Sequence, residues 1–177
     1  LEGCISISRA ARESDGNALF RMLVLPAAAL QALCWLAAGH WLGTMQRERG
    51  RAIAVLGLVA ALFLALYATF LGTEGALYQL LRRYGVIVYF ASTYLALLAT
   101  LRALWQSPRH PAARGLLVVA LALLALGLAT VAAGAAVDDR ALRHRVENVL
   151  EWHLGAWLTA MFVLLSWHWR RLRVVLC

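Results

Sequence analysis

Residues 115–137, GLLVVALALLALGLATVAAGAAV, form a run of 23 residues without a charged side chain. A helix of roughly 20 apolar residues crosses the ~30 Å hydrocarbon core of a bilayer. The run lacks the alternation of polar and apolar residues that marks a barrel strand. Because a segment in lipid must satisfy its own backbone hydrogen bonds, this stretch predicts a transmembrane helix.

Four similar uncharged runs surround it, at residues 22–43, 52–72, 84–101 and 152–169. The chain is 63% hydrophobic and 15% charged, whereas soluble domains are about 45–50% apolar and about 25% charged. The sequence therefore predicts an all-α fold, a polytopic transmembrane bundle of five helices in one domain over residues 22–169. The predicted helices cover 22–43, 52–72, 84–104, 115–137 and 147–169.

The segments between the runs are too short for a soluble domain. Residues 73–83 have room for a small interfacial helix that turns Leu77, Leu80 and Leu81 toward lipid. The second half of residues 138–151 is expected to extend the last helix. Gly127 and Gly134, among the alanines of the fourth helix, would permit close helix packing.

Five crossings divide the connections between two sides of the membrane. Side one contains residues 1–21, 73–83 and 138–151, with eight arginines and eight acids. Side two contains residues 44–51, 102–114 and 170–177, with nine arginines and one acid. The positive-inside count barely separates the sides, but nearly pure positive charge suits a leaflet of anionic headgroups. Side two is therefore predicted to be cytoplasmic, with a basic tail at 170–177, and residues 1–21 are predicted to lie outside.

All 17 basic residues are arginine, a bias typical of GC-rich bacterial genomes, so the predicted location is the cytoplasmic membrane of a bacterium. The arginines occur in short clusters between apolar runs, which favours juxtamembrane charge over nucleic-acid binding. Cys4, Cys34 and Cys177 have neither metal-ligand spacing nor the pattern of a disulfide framework. The chain begins at Leu1 without a signal peptide, and we expect it to start partway through a longer protein.

Polar residues at the head of the last helix are the first candidate site. Glu147 and Glu151 are four residues apart and share a helical face with Asn148 beside them. Three interpretations remain open: an acidic turn that complements the helix dipole, a site for a lipid headgroup or ion, and a catalytic acid. His144 and His153 lie close enough in sequence to be weak candidates for metal ligands.

A second candidate consists of Glu74, Arg82 and Arg83, between the second and third runs. An arginine there can grip a lipid phosphate or form an internal salt bridge. In the third helix, Tyr89 and Ser92 are spaced to face the bundle, where interhelical hydrogen bonding competes with ligand binding. A haem pair of His40 and His168 is disfavoured because both lie at the periphery, and no cofactor and no catalytic residue is predicted.

Four segments stand out together: ISIS at 5–8, ATFLGTEG at 68–75, LRRYGVIVYF at 81–90 and ENVLEW at 147–152. They resemble the Frag/DRAM/Sfk family of polytopic membrane proteins, although Cys4 stands where that family usually has proline. The resemblance implies a sixth helix before Leu1 and carries over by residue to Ser6, Ser8, Glu74, Arg82, Gly85, Glu147 and Glu151. Eukaryotic relatives act in lipid or membrane handling, which supplies no catalytic mechanism here.

Three functions follow as hypotheses. The first is a non-enzymatic protein that binds lipid at the outer leaflet through a polar rim of Glu74, Arg82, Arg83, Glu147 and Glu151, with Asn148 and Tyr89 as further lipid-binding candidates. The second is an accessory subunit of a larger membrane complex, docked through the Ala/Gly face of the fourth helix. The third is a membrane-embedded enzyme that modifies lipid. The predicted partners are membrane lipids and other membrane subunits, not nucleic acid.

Overall fold

A computed structural model describes residues 7–11, 14–44, 46–73, 75–106 and 111–172. All of the regular secondary structure in these ranges is α-helical. The helices are α1 (Ile7–Ala10), α2 (Ser14–Gly43), α3 (Arg47–Phe70), α4 (Ala76–Trp105), α5 (Pro111–Ala136) and α6 (Arg140–Leu172). Five of them, α2 to α6, are long and apolar enough to cross a membrane. The predicted all-α transmembrane architecture is confirmed.

Several helices extend beyond the uncharged runs because their charged flanking turns are helical too. α2 includes residues 14–21, and α3 begins at Arg47. α4 begins at Ala76, so residues 76–83 are its first turns and not a separate interfacial helix. Leu77 and Leu80 are exposed there, as predicted, while Leu81 is half-buried.

The last helix takes in most of the preceding segment, as expected. α6 begins at Arg140, where the Asp139 Oδ1 atom accepts a hydrogen bond of 2.9 Å from the Ala141 N–H. Such a bond satisfies one of the free N–H groups of a helix start. α6 continues to Leu172, so the start of the predicted tail is helical, and residues 173–177 lie outside the described residues.

The chain divides into two compact units. The first, which we call the three-helix unit, covers residues 8–106 and contains α2, α3 and α4. α3 packs against both neighbours. The turn from α2 to α3 is tight, and the Gln46 N–H donates to the Leu42 carbonyl at 2.9 Å. The single domain predicted over residues 22–169 stays a prediction.

Glycines bring α2 and α3 into backbone contact. A Cβ atom on Gly39 would lie 2.6 Å from the Gly50 carbonyl oxygen, and one on Gly50 would lie 2.6 Å from the Gly43 backbone nitrogen. One on Gly57 would meet the side chain of Trp35, which is fully buried. Small residues allow this approach, and dispersion contacts then hold helices together in lipid.

The two-helix unit consists of α5 and α6, together with Ile7. α5 packs along α6, and a Cβ atom on Gly115 would lie 3.5 Å from Leu164. Gly127 and Gly134 have open space at their Cβ positions, with no described atom within 4 Å. Among the described residues, close glycine packing between helices is found between α2 and α3.

Candidate functional site

The predicted rim residues belong to both units. Arg82, Arg83 and Tyr89 are on α4, in the three-helix unit, and Glu147, Asn148 and Glu151 are on α6, in the two-helix unit. Glu74 lies outside the described residues, as does the side chain of Arg82. Each unit therefore carries its own part of the predicted rim.

The first turns of α4 combine an exposed base with an exposed apolar strip. Leu77, Leu80 and Tyr84 follow a spacing of three and four residues, so they share one helical face, and all three are exposed. Arg83 is exposed beside Tyr84. Tyrosine with an adjacent arginine is typical of the boundary between hydrocarbon and headgroups.

The first turns of α6 hold a small charge network around Glu147. Its carboxylate lies 3.9 Å from the Arg143 Nε atom and 3.4 Å from the His144 Nδ1 atom. Asn148 and Glu151 are half-buried on the same helix, and each has an interaction of its own. All three members of the network are partly exposed, and such pairs contribute only about 0–1 kcal/mol. The network can therefore exchange partners with a charged ligand at little cost.

The histidines proposed as metal ligands bond within α6. His144 faces Glu147, and the His153 Nδ1 atom lies 2.9 Å from the Val149 carbonyl oxygen one turn earlier. Among the described residues, no group of three or more His, Cys, Asp or Glu side chains is placed to hold a metal ion.

Tyr89 takes part in a buried polar cluster that joins α2 to α4. The Gln31 Nε2 atom donates to the Tyr89 hydroxyl at 3.1 Å, and Tyr89 is 7% exposed. Ser92 and Thr93, on the next turn of α4, are also buried. Of the two interpretations of Tyr89, the structure supports interhelical hydrogen bonding. Gln31 was missed at the sequence level, although it is the only amide inside its uncharged run.

Removing the Tyr89 hydroxyl is expected to destabilise the three-helix unit. Tyr89→Phe leaves the Gln31 amide without its partner in an apolar interior, and interhelical hydrogen bonds average about 0.6 kcal/mol, with a maximum near 1.7. We expect a loss of about 1 kcal/mol in the free energy of unfolding, measured by denaturing-detergent titration. Tyr84→Phe, at an exposed tyrosine of the same helix, should change nothing. Equal losses for the two variants would contradict the assignment.

Two side chains of α2 hold the turn between α3 and α4. The Asn17 Nδ2 atom donates to the Leu71 carbonyl at 2.7 Å, and an Arg21 Nη atom donates to the same oxygen at 3.2 Å. Leu71 follows the last residue of α3, where helix carbonyls lack partners. Gly72, with φ of 86°, then turns the chain through the left-handed region, which glycine tolerates best. Neither Asn17 nor Arg21 was predicted, because only the fold brings them to Leu71.

The chain matches no protein-family model, no curated protein and no solved structure.

Proposed function

We propose that this chain is a non-enzymatic integral membrane protein that binds or handles lipid at the outer leaflet of a bacterial cytoplasmic membrane. In this proposal residues 1–21 face outward and the C-terminus is cytoplasmic. The observation that carries it is the start of α4, where exposed Arg83 is followed, in the direction of the span, by the exposed side chains of Tyr84 and Ile87. A phospholipid has the same order of parts, a charged phosphate followed by hydrocarbon.

Arginine suits this role for two reasons. Its guanidinium can hold two phosphate oxygens at once, and its aliphatic stem lies along apolar surface while the head stays in water. Arg82 adjoins Arg83 in sequence and would add a second positive charge. The hydroxyl of Tyr84 would lie at the depth of the lipid glycerol.

The acidic members of the rim would contact lipid amines, each within its own unit. Glu147 is already paired only loosely, to Arg143 and His144. It can therefore accept the ammonium of a lipid amine in exchange for a weak internal contact. We propose Glu74, Asn148 and Glu151 as further contacts of the same kind.

The family resemblance supports the same conclusion. We propose that the chain is a bacterial member of the Frag/DRAM/Sfk family, on the strength of the segments at 68–75, 81–90 and 147–152. Relatives in eukaryotes handle lipids or membranes, including GPI lipids. Bacteria generally lack GPI anchors, so that substrate is not transferred to this chain.

The proposal is tested by the lipid that stays bound when the protein is gently released from its own membrane. Native mass spectrometry of Arg83→Gln should show about 5-fold less retained lipid than the parent protein, because one surface arginine contributes about 1 kcal/mol. The matched control is Arg114→Gln, an exposed arginine at the start of α5, which side-one binding does not involve. Equal retention in both variants would overturn the proposal.

A second candidate function is that of an accessory subunit, and the open face of α5 favours it. Gly127, Val131 and Gly134 share that face, and Val131 is 72% exposed. Small residues at a bare surface would let another helix approach closely. The same native mass spectrum separates the two functions. A lone chain with bound lipid supports the first, and an assembly with unlike chains supports the second.

A further inference from the structure

A continuous stripe of exposed side chains runs along α3, outside the rim described above. It consists of Arg47, Arg51, Val55, Leu58 and Leu62, all of which are exposed. Their spacing of four, four, three and four residues keeps them on one helical face. The stripe begins with two guanidinium groups and continues as hydrocarbon over the following three turns.

The start of α3 places these positive charges where helix physics disfavours them. Residues 47, 49 and 51 are all arginine, and the only acid in the first turn is Glu48. Cations at a helix N-terminus oppose the helix dipole, and like charges four residues apart repel. The N-cap residue, Gln46, provides no side-chain hydrogen bond to the helix start.

The start of α6 also carries exposed arginines, but it has a side-chain cap and an ion pair. Asp139 caps the helix, and Glu147 lies against both Arg143 and His144. At the start of α3 no acidic side chain within the described ranges forms an ion pair with Arg47 or Arg51. A local rule broken without compensation is typical of a functional site.

Two amides fix this end of the three-helix unit. Gln46 donates to the Gln106 Oε1 atom through Nε2 at 3.0 Å, and Arg49 donates to the same oxygen. The start of α3 is thereby tied to the end of α4. Arg49 is held by this hydrogen bond, while the side chains of Arg47 and Arg51, two residues before and after it, are exposed. Arg102, also exposed, adds positive charge one turn before Gln106.

We propose that this stripe binds one anionic phospholipid, with the phosphate between Arg47 and Arg51 and an acyl chain along Val55, Leu58 and Leu62. The phosphate relieves the repulsion between the two guanidinium groups and complements the N-terminus of α3. The apolar half of the stripe selects a lipid over a free phosphate. Within the three-helix unit, the start of α3 lies beside the end of α4, away from Arg83 near the start of α4, so the site can be tested independently of the proposed outer-leaflet rim.

The test uses the full chain, reconstituted in phosphatidylcholine vesicles doped with phosphatidylglycerol, and reads bound lipid by native mass spectrometry. Arg47→Gln combined with Arg51→Gln should weaken phosphatidylglycerol retention about 25-fold, at about 5-fold for each arginine. The matched control is Arg140→Gln combined with Arg145→Gln, two exposed arginines of α6. It makes the same charge change and should leave retention within about 2-fold of the parent.

Two further measurements distinguish lipid binding from phosphate binding, and an effect of charge from an effect on folding. Arg47→Lys with Arg51→Lys should keep most of the affinity, which shows that charge at these positions is required while the fold is intact. Excess inorganic phosphate or glycerol phosphate should not displace the lipid, because neither fills the apolar half. Displacement by either compound would overturn the lipid assignment. A loss in the Arg140/Arg145 control equal to that in the Arg47/Arg51 variant would overturn the site itself.

Discussion

Gly50→Leu is expected to disrupt the three-helix unit, with a loss of more than about 3 kcal/mol in the free energy of unfolding. A Cβ atom at this position would meet the Gly39 carbonyl and the backbone of Gly43. Backbone atoms of a helix cannot rotate away as a side chain can, so α2 and α3 must separate. Overpacking a tight core costs typically 1–3 kcal/mol, and here the lost contact runs along the helix pair. Size-exclusion profiles and denaturing-detergent titration measure the loss.

The control for this prediction is Gly127→Leu on α5. Leucine forms helix better than glycine by nearly 1 kcal/mol, and that gain applies to both positions. At Gly127 the new side chain meets open space, so this variant should be as stable as the parent protein or more so. If both variants lost stability equally, packing between α2 and α3 would not be the cause.

The five helices could be predicted from sequence because the length of an uncharged apolar run decides whether a segment can span the membrane. A span needs roughly 20 apolar residues, with a range of about 17–25, and the five runs, of 18 to 23 residues, all fall in that range. The helix ends could not be predicted as well, since charged turns such as 47–51 belong to the helix although they lie outside the apolar run that marks the span. Arg47 is helical although it precedes the apolar run by one and a half turns.

Helix partners could not be predicted, because lipid is as apolar as the helix surfaces and hydropathy does not mark the contact face. Gly39 and Gly43 are four residues apart, a spacing that places both on one face. Gly127 and Gly134, seven apart, also share a face, and the sequence drew attention to that pair. Only the short turn between α2 and α3 makes the first pair meet Gly50, as the structure shows.

The candidate site was predictable to the extent that it depends on position along the chain. Arg83 and Glu147 are at helix starts, and charges flanking a span belong at the headgroup level. The contacts that depend on the rotation of each helix about its axis could not be predicted from the sequence. Gln31 bonds to Tyr89 across 58 residues, and Asn17 bonds to Leu71 across 54. No local pattern encodes either pairing.

Trp35→Ala is expected to lower the free energy of unfolding by about 3 kcal/mol, the low end of the range for truncating a buried tryptophan to alanine. The low end applies because lipid already solvates apolar groups, so packing rather than water exclusion is lost. Trp35 is fully buried. Its side chain occupies the space that the Cβ atom of any residue other than glycine would need at position 57. Its removal leaves a cavity between α2 and α3 that the glycine cannot close.

The control is Trp105→Ala, at a tryptophan that is 60% exposed at the end of α4. This variant should lose less than about 1 kcal/mol of unfolding free energy by the same detergent titration. An equal loss at Trp105 would mean that tryptophan stabilises this protein through the membrane interface and not through the contact of α2 with α3.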